Sequence, residues 1–304
     1  MRTTIRVAAV QMESGDHQVE ANLKHATSLV NDAAARGAKL ILLPEFMPTG
    51  SVVTAAMWGR AEARQGLTVN WLKENSRRLC VWLGTSFLEA EGKDFFNTFV
   101  LTDPNGNEAG RVRKQNSSGP ETFFIKGIGS SHFIKTDFGN VGVGICYDNY
   151  FSDFLRMMHR QSVDMILMPQ AHADINPTAK EIPRLYARLL GVPVVMANMC
   201  GTARYSMLGL SLVRLPLRLF GLSTIVDSDG AIKAHLGREE GVIVEDVTLD
   251  PSRKTNEQPK CHGRWAFKVS LGSRLFLVYE AFGQLSYALN CARKRSAERI
   301  SSLS

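Results

Sequence analysis

Three residues that could cooperate in acyl-transfer chemistry stand at the ends of short strand-like runs. Glu45 follows LILLP, Lys114 ends GRVRK, and Cys146 follows VGVGI. A cysteine attacks a carbonyl carbon as the thiolate, so it needs a base within reach, and the oxyanion that forms needs positive charge or N–H donors. No histidine stands in a suggestive context. Glu45 is therefore the candidate base, since partial burial raises a carboxylate's basicity, and Lys114 is the candidate oxyanion partner.

Each of these residues also has an ordinary structural interpretation. A lone cysteine such as Cys146 belongs to one of the most often buried residue types. Glu45 could cap the turn that follows its strand, and Lys114 could be a solvated surface charge. Asp148 and Asp153 could be first-turn acids of a helix, where they suit the helix dipole. The residue types alone leave these alternatives open.

The elements that would position these residues alternate between strands and helices. Helical spacing covers 19–35, 67–78, 152–161 and 179–190. Strand patterns occur at IRVAAVQM, KLILLPE, CVWLGTSFLE, FFNTFVLTD, VGVGI, DMILMP, VPVVMAN and GVIVEDVTLD, with a hairpin around DSDG. This order predicts one α/β domain with a mixed sheet or two sheets in layers. Ligands gather at the carboxyl ends of strands in such sheets, which is where Glu45, Cys146 and Gln170 stand.

Composition limits the classes of function. The 304 residues are 44% hydrophobic and 21% charged, as in ordinary globular proteins. The net charge of +7 comes from interleaved cations and anions, which argues against nucleic-acid binding. The five cysteines form no CxxC pair, so we expect reduced thiols and a cytoplasmic protein. No His/Cys cluster suggests a metal site, and neither a metal nor a cofactor is expected.

Two segments bear on membranes and partners. Residues 275–292 are rich in apolar residues, but they include Glu280 and Gln284, which a membrane-spanning helix would bury at a cost of kilocalories. We predict an amphipathic helix docked on protein, with a membrane-surface role as the less favoured alternative. Its apolar face would comprise Leu275, Val278, Tyr279, Phe282 and Leu289. The basic, leucine-rich stretch 202–220 could be a lid, a partner surface, a membrane-facing patch or a plain surface loop.

Taken together, three segments resemble a known family. LILLPEF, GRVRKQNSSGPETFFIKG and VGVGICYDNYFSDFLR, in this order and spacing, resemble the nitrilase superfamily of carbon–nitrogen hydrolases, and the resemblance covers roughly residues 4–250. It implies a single domain over 1–304 with an αββα sandwich and mixed sheets. In that family two subunits usually pair into a four-layer core. We therefore expect a homodimer or higher homo-oligomer, with 251–304 as a C-terminal extension at the subunit interface.

The resemblance also implies a site. Its Glu-Lys-Cys triad falls on Glu45, Lys114 and Cys146, and a further glutamate falls on Glu121, where it would position Lys114 or the substrate. The backbone N–H of Tyr147 would be a second oxyanion donor.

Substrate contacts are expected just past the nucleophile and at the next strand end, from Asn149, Tyr150 and His172. A buried structural role is the alternative for His172. Tyr147-Asp148 stands where nitrilases often carry Trp-Glu, which resembles the amidase branches instead.

The predicted function is therefore hydrolysis of a small amide or carbamoyl compound through a cysteine thioester. A nitrilase and an acyltransferase using the same thioester are the alternatives. The chain departs from the family's frequent residues at Asn116, at Ser152-Asp153 and at Leu190-Gly191. These departures bear on specificity rather than on the triad, and the sequence does not name the amide.

Overall fold

A computed structural model describes residues 2–173, 180–206, 209, 214–269 and 271–303. Its α-helices are α1 (Val19–Ala35), α2 (Leu67–Leu79), α3 (Ser152–Arg160), α4 (Ile182–Leu190), α5 (Leu271–Leu289) and α6 (Cys291–Ser301). Its strands are β1 (Thr3–Gln11), β2 (Leu40–Leu42), β3 (Val52–Val53), β4 (Trp82–Glu91), β5 (Asp94–Thr102), β6 (Glu108–Arg113), β7 (Phe133–Thr136), β8 (Gly139–Val143), β9 (Met165–Gln170), β10 (Val194–Asn198), β11 (Thr202–Ser206), β12 (Arg214–Arg218), β13 (Thr224–Val226), β14 (Ile232–His235) and β15 (Gly241–Leu249).

The strands form two large mixed sheets. One has the order β15-β1-β2-β4-β5-β6 and the other β14-β13-β10-β9-β8-β7, while β12, β11 and β3 form a small third sheet. The large sheets pack face to face, and helices cover their outer faces. The predicted αββα sandwich is confirmed.

The strand sequences explain why the layers form. In β1, Val7 and Ala9 pack between the two sheets, whereas Ala8 and Val10 pack under α1 and α2. Successive residues of a strand point to opposite faces, so a strand that is covered on both sides reads as one continuous apolar run. On the second sheet, α3 and α4 cover the outer face in the same way.

Strand direction places the candidate residues. β1, β2 and β4 are parallel. β5 is antiparallel to both β4 and β6, so β6 runs in the same direction as β4. In the second sheet β8, β9 and β10 are parallel. The segments that leave β2, β6, β8 and β9 carry Glu45, Lys114, Cys146 and Ala171, so each follows the carboxyl end of a strand.

Part of the 202–220 segment forms a hairpin. β11 pairs with β12 in antiparallel register and with β3 in parallel register. Residues 207–208 and 210–213 lie outside the described residues, so the alternatives raised for this stretch stay predictions.

The helix predicted in the C-terminal region forms as α5 and docks on the rest of the chain, but its predicted apolar face is only partly the docking face. Val278 and Leu289 are 73% and 70% exposed, whereas Glu280, Gly283 and Tyr287 are buried. Of the predicted face, Tyr279 and Phe282 contact Phe123 with ring centroids 5.4 and 5.8 Å apart, and the side chain of Leu275 lies outside the described residues. A Cβ at Gly283 would lie 2.0 Å from Thr122 Oγ1, so the missing side chain permits the close approach. The helix thus docks through one carboxylate, one phenol and a glycine together with the aromatic part of its apolar stripe.

No helix within the described ranges is both long enough and apolar enough to cross a membrane.

Candidate active site

Cys146 begins a short 3-10 turn, Cys146–Tyr150, two residues after β8 ends. Its backbone has φ +47°, in the left-handed region that non-glycine residues rarely adopt. Such strain costs about 1–3 kcal/mol and persists only where the surroundings enforce it. Here Asn149 enforces it, because its side-chain amide donates 2.9 Å hydrogen bonds to the carbonyls of Gly144 and Cys146.

Lys114 is fully enclosed between two carboxylates. Its Nζ donates to Glu45 Oε1 at 2.8 Å and to Glu121 Oε2 at 2.7 Å, and all three side chains are buried. The interpretation of Lys114 as a solvated surface charge was wrong. Burial opposes the ammonium charge, but Glu121 and Glu45 outweigh it and raise the pKa of Lys114 well above its ordinary value.

Glu45 is held by three donors. Besides Lys114, Asn97 Nδ2 donates to Oε1 at 2.7 Å, and the backbone N–H of Ala171 donates to Oε2 at 3.0 Å. The same N–H also interacts with the Cys146 sulfur. Ala171 therefore places the carboxylate of Glu45 beside the thiol.

The resting thiol is protonated. Burial and the neighbouring Glu45 carboxylate raise the pKa of Cys146 well above its ordinary value, although Lys114 acts in the opposite direction. A nucleophilic role for this thiol therefore requires a base that takes its proton during attack, and Glu45 is placed to do so.

A capping box fixes the position of the Glu121 carboxylate. It lies in the 3-10 turn Gly119–Phe123, and its Oε2 accepts from the Ser118 backbone N–H at 2.8 Å and from Ser118 Oγ at 3.2 Å. This fixes the carboxylate that receives Lys114.

Asp148 anchors the segment that follows Lys114. Its Oδ1 accepts from the backbone and side-chain amides of Asn116 at 2.8 and 3.0 Å, and its Oδ2 accepts from the Gln115 N–H at 3.4 Å. It is fully buried, and it is also an acid in the first turn of the 3-10 segment Cys146–Tyr150, as one interpretation of the sequence had it.

We expect Asp148→Ala to lower the free energy of unfolding by about 1–3 kcal/mol, because it leaves buried amide donors unpaired. Exposed Asp153, in the first turn of α3, provides the matched control. Asp153→Ala should cost no more than about 1 kcal/mol, the contribution of a surface helix-dipole charge. Urea denaturation of both variants measures the difference, and equal losses would contradict the anchoring role of Asp148.

The predicted substrate contacts occupy different environments. Asn149 is buried against backbone carbonyls, which favours a structural role. Tyr150 lies near the Cys146 sulfur, and its hydroxyl is 2.7 Å from His172 Nε2. His172 Nδ1 donates to the Ala173 carbonyl at 3.0 Å, and burial lowers the pKa of His172. A neutral ring with that tautomer accepts the Tyr150 proton.

The aromatic side chain of Tyr147, next to the nucleophile, packs against Tyr150, Phe151 and Trp265. Its hydroxyl lies beside the Glu280 carboxylate of α5, and each group shifts the pKa of the other.

Sequence reasoning missed Asn97, the anchoring role of Asp148, and Glu280 as site residues. Asn97 had a usable signal, since it is a polar residue inside the apolar run FFNTFVL of β5. Glu280 was noticed only as a charge that disfavours a membrane span. Within the described ranges, no group of three or more His, Cys, Asp or Glu side chains is arranged to hold a metal ion.

Comparison with known proteins identifies the family. The model of the family described as Carbon-nitrogen hydrolase matches residues 6–257. The chain is 26% identical over 269 residues to an N-carbamoylputrescine amidase of Oryza sativa subsp. japonica, covering 83% of this chain and 88% of that protein. It is 27% identical over 266 residues to a deaminated glutathione amidase of Synechocystis sp., covering 83% and 94%.

A solved structure shares the fold. It is a mutant of the amidase from Nesterenkonia sp. AN1 that shows Michael addition of acrylamide at its active-site cysteine. The TM-score is 0.68 at 22% identity, with 81% of this chain and 92% of that chain covered. Because the family match spans most of the sequence and the architecture agrees, the chain belongs to the carbon–nitrogen hydrolase family and is an enzyme of its amidase-like type.

Proposed function

We propose that this enzyme hydrolyses the C–N bond of a small amide or carbamoyl compound through a thioester on Cys146. The observation that carries the proposal is the buried chain Glu121–Lys114–Glu45, joined to the nucleophile by the Ala171 N–H. A buried charge array of this kind is costly to maintain for stability alone, and perturbed titratable groups concentrate at functional sites.

The reaction follows from the positions of these groups. Glu45 accepts the Cys146 proton as the sulfur bonds to the carbonyl carbon. Lys114 and the Tyr147 backbone N–H stabilise the oxyanion, and one such donor typically contributes about 3–4 kcal/mol. The tetrahedral intermediate collapses as the C–N bond breaks, and Glu45 returns the proton to the leaving nitrogen. Glu45 then takes a proton from water as its oxygen attacks the thioester, and it passes that proton to the departing Cys146 sulfur as the acid is released.

The electrostatics of the site favour neutral or cationic substrates over anionic ones. Two carboxylates, Glu45 and Glu121, and one ammonium group, Lys114, act on the Cys146 sulfur.

A panel of short neutral, cationic and anionic amides, carbamoyl compounds and nitriles tests the proposal, with ammonia release and acid formation as readouts. We expect turnover of a neutral or cationic amide or carbamoyl compound. Mass spectrometry should detect the acyl adduct on the unmodified protein and not on Cys146→Ala. Turnover of nitriles alone, or of none of the panel, would contradict the proposal.

Hydroxylamine added to the same reaction separates water from an amine as acyl acceptor. Complete diversion of product to the hydroxamate at low hydroxylamine concentration would indicate an acyltransferase. The expected homo-oligomer, the cytoplasmic location and the interface role of 251–304 stay predictions.

A further inference from the structure

The carboxylate of Glu280 joins the two loops that carry the proposed catalytic groups. Its Oε1 accepts from the Gly119 backbone N–H at 3.2 Å, at the start of the turn that presents Glu121. The same carboxylate lies beside the hydroxyl of Tyr147, the residue directly after the nucleophile. Glu280 is 5% exposed, and it lies 23 residues beyond the end of the family match at residue 257.

Packing shows that this contact is built into the fold. A Cβ at Gly119 would lie 2.6 Å from the Phe276 ring, and a Cβ at Gly283 would lie 2.0 Å from Thr122 Oγ1. A glycine on each side therefore brings α5 against the turn Gly119–Phe123. This close approach is what allows a helical glutamate to reach a backbone N–H.

Two adjacent backbone N–H groups bind two different carboxylates. The Ser118 N–H binds Glu121, and the Gly119 N–H binds Glu280. Removal of Glu280 would leave one donor of this pair and the Tyr147 hydroxyl without their acceptor in a buried position, which costs free energy and favours a shift of the turn.

We propose that Glu280 is a positioning residue for the catalytic site, acting through Glu121 and through the backbone of Tyr147. This inference rests on the proposed function for the roles of those two groups. Glu280 does not touch the reacting atoms. It makes α5, from the C-terminal region, part of the active-site framework.

The test uses the full chain with Glu280→Ala, Glu280→Gln, Tyr147→Phe and the double variant Glu280→Ala/Tyr147→Phe. Exposed Gln284, one turn further along α5, provides the control variant Gln284→Ala. For an amide that the unmodified enzyme turns over, kcat of Glu280→Ala should fall about 10- to 100-fold and KM should change less than about threefold, since misplacement by about 1 Å has effects of this size.

Two further results are expected if Glu280 acts by positioning. Glu280→Gln retains an acceptor oxygen and should recover most of the lost kcat. The double variant should be no slower than Glu280→Ala, because both substitutions break the same clamp. A kcat for Glu280→Ala within about twofold of the unmodified enzyme would overturn the inference. An equal loss in Gln284→Ala would do the same.

A substrate-independent readout separates this inference from the proposed function. Acrylamide labelling of Cys146, followed by peptide mass spectrometry, should slow about tenfold in Glu280→Ala relative to labelling of exposed Cys80 in the same molecules. Slower labelling supports positioning even if the amide panel is inactive. Unchanged labelling with unchanged kcat refutes it while the Cys146 mechanism stands. If Glu280→Ala does not fold, Tyr147→Phe decides, and a wild-type kcat in that variant would overturn the inference.

Discussion

The Cys146→Ala protein is expected to lose amide turnover to below about one per cent of the unmodified activity, because the proposed thioester forms on the Cys146 sulfur. The fold should remain, since the side chain is small and its turn is held by the backbone contacts of Asn149. Ammonia release measures the loss of turnover, and circular dichroism with thermal unfolding measures the fold.

Cys200→Ala is the matched control for this experiment. Cys200 is also a buried free thiol, but it lines a separate cavity of about 740 Å³ with Glu13, Glu239 and Glu240. Burial and these carboxylates raise the pKa of Cys200 to about 12, and its cavity is separate from the Glu45–Lys114 site. We expect Cys200→Ala to retain activity. Residual turnover above about one per cent in Cys146→Ala, or loss in Cys200→Ala alone, would refute the assignment.

The second large effect is expected for Lys114→Met. Methionine has a similar length but carries no charge, so Glu45 and Glu121 would be left buried without their common cation. Breaking a buried ion pair in this way typically costs about 3–5 kcal/mol. Activity should also fall to background, because the oxyanion loses its positive charge. Urea denaturation measures the loss of stability.

The pH dependence of this defect has a definite sign. Burial raises the pKa of Glu121, and loss of Lys114 removes a neighbour that lowers it. A carboxyl whose folded pKa lies above its unfolded pKa favours the folded state at low pH and disfavours it as pH rises through the folded pKa. The stability deficit of Lys114→Met should therefore shrink from neutral pH toward the ordinary titration range of glutamate.

Lys126→Met and Lys114→Met/Glu121→Gln serve as controls. Lys126 pairs with Asp94 at 2.6 Å, but its side chain is 45% exposed, so its loss should cost no more than about 1 kcal/mol. The double variant removes one of the unpaired charges and should recover part of the stability without recovering activity. Equal losses for Lys126→Met and Lys114→Met would show that burial of the Lys114 pairs has no energetic consequence.

Local patterns predicted much of this molecule correctly. The helix predicted over 19–35 is α1, and the helix predicted over 67–78 is α2, which ends one residue later. These succeed because a helix that buries one face and a strand that is covered on two faces leave period-3.6 and continuous apolar patterns in the sequence. Glu45 and Cys146 were selected in the same way, since each is a polar residue at the end of such a run, and their catalytic roles stay predictions.

Other features depended on contacts between residues far apart in sequence. Asn97 and the Ala171 N–H reach Glu45 over separations of 52 and 126 residues. The docking face of α5 was only partly predicted because hydrophobic periodicity identifies an apolar stripe, but not the surface that the helix meets. That surface includes the Gly119 backbone N–H, so the Glu280 carboxylate is buried while Val278 and Leu289 of the stripe are left exposed.

The sequence by itself determined the layers, the strand ends and the residue types able to perform acyl transfer, since these depend on periodicity and on side-chain chemistry. Only the tertiary structure decided which neighbours hold those groups in place. The strength of a hydrogen bond changes when its donor–acceptor distance changes by tenths of an ångström. The packing of α5 against a turn 161 residues earlier in the chain sets the distance between the Gly119 N–H and the Glu280 carboxylate.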